Sequence, residues 1–109
     1  MAFNFKKAQN PTFKQKVTVP IANDKGGFDD QTFDAVFARP SEDERKELAK
    51  LTDAEVVRRQ VRGWDMKDSE NQEVTFSDDS LESVLSIPPC PTYIAKAFWN
   101  GVSGGLLKN

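Results

Sequence analysis

The side chains with chemical potential are mostly carboxylates. Asp65, Asp68, Glu70 and Glu73 crowd one polar stretch, and Asp78 and Asp79 follow closely. Such a set could hold a hard cation or share a proton as an acid–base pair. The calcium-loop spacing fails, however. Counted from Asp65, the position that needs glycine holds Glu70, and the third position holds Lys67. Asp78 and Asp79 come directly after Ser77, where the first turn of a helix favours negative charge. Caps thus account for these acids without catalysis. Histidine is absent, which removes the usual neutral-pH base, the commonest metal ligand and any Ser-His-Asp or Cys-His arrangement. The single cysteine, Cys90, lies between prolines in no electropositive setting, so an inert thiol and no internal disulfide are expected. There is no glycine-rich phosphate loop. The chain is expected to be non-enzymatic, with no cofactor and no metal.

Arginines Arg58, Arg59 and Arg62 lie close together, but Glu47, Asp53 and Glu55 offset them. A single neighbouring aromatic makes a poor stacking platform for nucleic acid. Net charge is −2 over 109 residues, so no global field directs the chain to nucleic acid or an anionic membrane. The charge is uneven. Basic residues prevail up to Arg39, and from Asp65 to Pro88 seven acids face Lys67 alone. The hydrophobic fraction is 38% and the charged fraction 29%, which suits one polar domain with frayed ends or a broad interaction surface. With no apolar leader segment at MAFNFKKAQN and no run of about 20 apolar residues, a soluble, cytosolic protein is expected.

The elements that carry these residues can be read in order. Residues 1–12, with isolated Phe3 and Phe5 and a stop at Pro11, read as a flexible arm. Lys14 to Ile21 alternates, with Val17, Val19 and Ile21 on one face, and Pro20 marks an edge strand. Asn23 to Gly27 supplies a turn, and Gln31 to Ala38 alternates again. The two strands form an antiparallel hairpin. Ser41 and Glu44 make a capping box for a helix that turns Leu48 and Leu51 inward, with Glu42 and Lys46 as an i,i+4 pair. Thr52 caps a second helix carrying Val57 and Val61 on one face. Gly63 is placed as its left-handed C-cap, and Trp64 folds back over the apolar side. After the polar turn, Glu73-Val74-Thr75-Phe76 reads as a short extended run. Ser77 caps a third helix, with Phe76 and Leu81 at the positions of a hydrophobic staple and Leu81, Val84 and Leu85 as its stripe. Pro91 or Thr92 opens the last helix, whose core stripe is Ile94, Ala97, Phe98 and Val102. Gly101 weakens it and Gly104-Gly105 ends it. The expected architecture is α+β: an N-terminal antiparallel β-hairpin followed by a small bundle of three to four short helices. Residues 13–103 form one domain, and 104–109 a flexible tail.

The centre of the chain resembles the tail assembly chaperones of long-tailed bacteriophages and prophages. The residues that carry the resemblance are Val61-x-Gly63-Trp64, the polar turn with Asp68, Val74-x-Phe76-Ser77, and Leu81, Val84 and Leu85. A proline-rich break and a terminal helix holding Ile94-Ala95-Lys96-Ala97-Phe98 follow, as in that family. The likeness spans roughly residues 13–102. One departure is Glu70-Asn71-Gln72, where the family's turn often carries glycine after Asp or Asn. The resemblance implies a protein that binds the long, apolar, helical tape measure protein in the host cytoplasm. It keeps that protein soluble while tail-tube subunits polymerise, and it is missing from the mature virion. It also implies a longer form, made by ribosomal frameshifting, that recruits tail-tube protein; the present chain would be the unextended form. Self-association stays open. Such a chaperone needs exposed apolar surface, and the candidates are Trp64, Phe98, Trp99, Leu106 and Leu107, with a soluble rim of Asp65, Asp68 and Glu70. For Trp64 and Phe98 a plain core role competes with this one. A minor structural tail or connector protein of the virion is the alternative reading, with the hairpin suited to strand addition.

Overall fold

The computed structural model describes residues 2–106. Helix α1 is a single turn, Phe5–Ala8, in which the Asn4 side chain accepts the Lys7 N–H. Strand β1 runs Thr12–Ala22 and β2 runs Phe28–Ala38. They pair antiparallel over their full length, from Thr12 opposite Ala38 to Ala22 opposite Phe28. The turn between them is organised by Asn23, whose Oδ1 accepts the N–H groups of Lys25 and Gly27 at 2.9 and 3.0 Å. Gly26 takes φ +82° there, a conformation that costs glycine nothing.

The helices start where local chemistry says. Helix α2 covers Glu42–Leu48, and Ser41 and Glu44 form the reciprocal capping box. Glu42 pairs with Arg45, one residue nearer than the expected Lys46, and Glu47 approaches Lys50. Helix α3 covers Asp53–Gln60, capped by Thr52. Helix α4 covers Asp78–Leu85, and Ser77 and Ser80 cap each other's backbone. Helix α5 covers Cys90–Val102, one residue longer at its start than expected, with Pro91 in its first turn, where a missing N–H is tolerated.

The expectation for Gly63 is overturned. Helix α3 ends at Gln60, and the next residues, Val61–Asp65, form a third strand, β3, on the far side of β2. Val61 is extended at φ −73°, ψ 135°, and Gly63 is not among the residues with positive φ. The physical reason is non-local. A lone two-stranded hairpin is marginal in water, and β2 has a second edge to satisfy. The register pairs Ala35 with Trp64, Val36 with Gly63 and Phe37 with Val61, with a bulge at Val36/Phe37. That bulge leaves Arg62 as an extra residue. Strand side chains alternate, so Val61 and Trp64 would otherwise lie on opposite faces; the bulge turns both toward the core. Buried Gln60 fixes the entry to β3, its Nε2 donating to Ala38 O at 3.1 Å. Glu73–Phe76, by contrast, forms no strand; only a single bridge, Lys67 with Glu73, is made.

One face of the sheet is covered. Helix α5 packs on β1 and α3, and α4 packs on α5. The core holds Val17, Val19, Ala35, Phe37, Leu48, Val56, Val57, Val61, Leu81, Leu85, Ile94, Ala95 and Phe98. Gly101 makes this packing close: a Cβ there would lie 2.4 Å from the Phe13 ring and 3.0 Å from Gln15 Cγ. The glycine that weakens the helix is thus the point where α5 crosses β1. The other face is open and carries Lys14, Lys16 and Thr18 of β1 beside Val36, Asp34 and Thr32 of β2. The molecule is elongated, 49 × 29 × 27 Å, because the hairpin outruns the helices.

Candidate partner-binding surface

The five residues singled out for binding do not gather in one place. Phe98 is fully buried, with ring centroids 5.4 Å from Phe37, 5.9 Å from Phe13 and 5.0 Å from Trp99. It belongs to the core and has no surface to offer, which corrects its place among the candidates. Its α5 stripe faces the sheet, so burial follows from the helix period.

Trp64 is half-buried on β3. Its ring meets Phe76 edge-on at 4.8 Å and Phe33 at 6.0 Å. Its Nε1 donates to Val74 O at 2.7 Å. Trp64 therefore ties the polar excursion 66–76 to the sheet; most of its ring is spent on packing. Trp99 is half-buried beside Phe98. Leu106 is 87% exposed. Leu107 lies outside the described residues.

The excursion owes its shape to one of the presumed rim acids. Asp68 Oδ1 accepts the N–H groups of Glu70 and Gln72, both at 2.9 Å. Asn71 sits at φ 62°, so it takes the left-handed position that a glycine would fill. Asparagine tolerates that conformation better than most side chains. The missing glycine of the turn is thereby accommodated. No group of three or more His, Cys, Asp or Glu side chains suited to a metal is found among the described residues.

Other exposed apolar side chains were less visible in the sequence. Phe3 and Phe5 pack edge to face at 5.0 Å and stay 71% and 70% exposed. They precede β1, and Gly101 lies on Phe13, so the arm and Leu106 emerge at the same end of the molecule. A cavity of about 180 Å³ is lined by Phe13, Arg39, Pro40, Ser41, Glu42, Arg45 and Val102. The Arg39 guanidinium stands 5.3 Å over the Phe13 ring, and its Nε donates to Asn10 O at 2.8 Å. Phe28 is exposed at the opposite pole, at the hairpin tip, and Ile87 is exposed in the α4–α5 turn. Periodicity places these residues in elements; only the reach of the helices decides which of them are left uncovered. A shallow dish of about 450 Å³ on the open sheet face is lined by Lys16, Thr32, Phe33, Asp34, Asp65 and Lys67.

The perturbed ionisable groups are structural. Arg58 spans from α3 to α4 and grips Glu82 with two bonds of 2.7 and 2.9 Å. That contact lowers the Glu82 carboxyl below its ordinary value. Arg45 does the same to Glu42, and the Ser41 backbone N–H lowers Glu44. Burial raises the Cys90 thiol, which keeps it protonated. No helix of the described residues is long and apolar enough to cross a membrane. No family model matches the chain, and neither the curated proteins nor the solved structures give a significant match.

Proposed function

We propose that this chain is a non-enzymatic tail assembly chaperone of a long-tailed bacteriophage or prophage. It binds the tape measure protein in the host cytoplasm, keeps it soluble and leaves before the virion is complete. The observation that carries the proposal is the resemblance over Val61–Leu85, centred on Gly63-Trp64 and Phe76-Ser77 with Leu81, Val84 and Leu85. Exposed apolar side chains on a charged body suit a client that is a long apolar helix. The end bearing Phe3, Phe5 and Leu106, with Trp99 nearby in α5, is the binding surface of this reading. A contact with tail-tube protein belongs to the frameshifted form.

Co-expression with a tape measure fragment tests the proposal. The fragment becomes soluble and co-purifies with the chain. A well-folded chain that does neither refutes it. In the gene, a slippery heptamer near the 3′ end and a very long downstream reading frame are expected.

The long unpaired edge of β1 favours one alternative, a minor structural tail or connector protein that joins copies by strand addition. Mass spectrometry of purified particles separates the two. A chaperone is missing from them, and a structural subunit is present.

A further inference from the structure

Arg39 is exposed, yet it is held at three points. Its backbone N–H donates to Pro11 O at 2.9 Å. Its Nε donates to Asn10 O at 2.8 Å. Its guanidinium carbon stands 5.3 Å over the Phe13 ring, which itself packs on Phe37 and Phe98. Pro40 follows and narrows the backbone choices of Arg39 further. An arginine on a surface loses rotamer freedom when it binds a partner; here the fold has already removed most of it.

The charge of Arg39 is nevertheless unmatched. Neither of its Nη groups has a hydrogen-bond or ion-pair partner among the described residues. Asn10 O is a neutral acceptor, and no acid precedes Asp24 in the chain. Arg39 lines the cavity of about 180 Å³ whose apolar walls are Phe13, Pro40 and Val102. Arg45 and Glu42 line it too, and these two are bonded to each other, Arg45 Nε donating to Glu42 Oε1 at 2.6 Å. Two cations and one anion leave the cavity with a single unmet positive charge, that of Arg39.

We infer that this cavity binds a carboxylate side chain, Glu or Asp, carried by an apolar segment of a partner polypeptide. The Nε–H of Arg39 is taken by Asn10, so the two Nη groups remain as an end-on fork that matches the two oxygens of a carboxylate. Phe13 and Val102 supply apolar cover for the methylene stem of the incoming side chain. The charge balance selects the ligand. Glu42 on the wall repels a second negative charge, so a monoanion fits and a phosphate dianion does not. Asn10 is also the root of the arm that bears exposed Phe3 and Phe5, and these offer apolar contact to the rest of the segment. A polypeptide uses both features; a small free acid uses only the first. The inference does not require the partner to be a tape measure protein. It requires one acid in an apolar setting.

The purified full chain and synthetic peptides suffice for the test. The probe is a helical peptide of alanine, leucine and glutamine with one central glutamate, and the control peptide has glutamine there. Calorimetric titration shows the glutamate peptide binding about tenfold more tightly, the effect of one charge-assisted pair. In NMR spectra the Val102 methyl and Phe13 ring signals shift as the glutamate peptide saturates the chain. Arg39→Gln, with its circular dichroism unchanged, abolishes the difference between the two peptides. Arg39→Lys keeps the charge without the fork and restores only part of it. Glu42→Gln releases Arg45 and strengthens binding of the glutamate peptide by about threefold. Propionate, which offers the carboxylate without the apolar segment, does not saturate the chain at the peptide's concentrations. No binding, equal affinity for the two peptides, a difference that survives Arg39→Gln, weaker binding in Glu42→Gln, or saturation by propionate overturns the inference.

Discussion

Two aromatic clusters line the covered side of one sheet, and they are closed in different ways. Phe13, Phe37 and Phe98 meet where α5 crosses β1, and two of the three are completely buried. No hydrogen bond is made by these rings, and only the outer one, Phe13, meets a polar group, the Arg39 guanidinium over its face; Gly101 lets the helix approach close enough to seal them. Phe33, Trp64 and Phe76 meet at the β3 side, all half-buried, and a hydrogen bond from Trp64 to Val74 O fixes them. The first cluster is stabilised by close packing and the second by one polar tether. The difference teaches that aromatic content alone does not mark a binding surface: the dry cluster is core, and the tethered one sets a loop.

Substitutions can break or sharpen that contrast. Phe98→Ala has the largest expected effect, a loss of about 3–5 kcal/mol from apolar transfer plus the cavity left behind. Chemical denaturation reads it, and a cost below about 1 kcal/mol would deny that the first cluster is the core. Gly101→Ala comes next and tests the sign. Alanine favours an exposed helix by about 1 kcal/mol, yet overpacking here costs about 1–3 kcal/mol, so the melting temperature falls. A rise would show that Phe13 moves aside freely. In the tethered cluster, Trp64→Phe keeps an aromatic ring and loses the bond to Val74, for about 1 kcal/mol. Amide exchange then speeds up across the 66–76 excursion while the α5 amides stay protected. Uniform loss of protection would instead join the two clusters into one cooperative unit.

Asn71→Gly is smaller still, within about 0.5 kcal/mol of wild type, since glycine removes the strain of the left-handed backbone but loosens the unfolded chain. Asn71→Ala costs more, in the range of about 1–2 kcal/mol. The smallest effect belongs to Glu82→Gln on the bridge between α3 and α4. The folded carboxyl lies below its ordinary value because Arg58 stabilises its charged form. Its contribution is therefore present above the unfolded carboxylate range and is lost as pH falls through the lowered folded value. Both groups are exposed, so only a slight difference in melting temperature is expected at pH 7, and the two proteins converge in acid. A gap that widens in acid would reverse the assigned cause.

Much of the architecture was legible because it is local. Ser41, Thr52 and Ser77 cap helices through groups three residues away, and the hairpin follows from two alternating runs joined by Asn23 to Gly27. The candidate surface was less legible. Phe98 and Trp99 are adjacent in sequence, but a helix turns neighbours about 100° apart, so one is sealed and the other half-exposed. Leu106 is exposed as a post-glycine tail residue should be, whereas Phe28 is exposed only because no helix reaches the hairpin tip.

By itself, then, the sequence determined the helix starts, the hairpin and the apolar stripes, each set by contacts within a few residues. Tertiary structure alone decided the fate of Val61 to Asp65. Helix spacing from Val57 to Val61 and strand alternation both bury Val61, so local pattern cannot choose between them. The choice falls to the open edge of β2, some 25 residues earlier in the chain, whose backbone groups need partners. That need turns an expected helix cap into a strand, and the extra residue Arg62 then swings Trp64 to the inner face where Phe33 and Phe76 receive it.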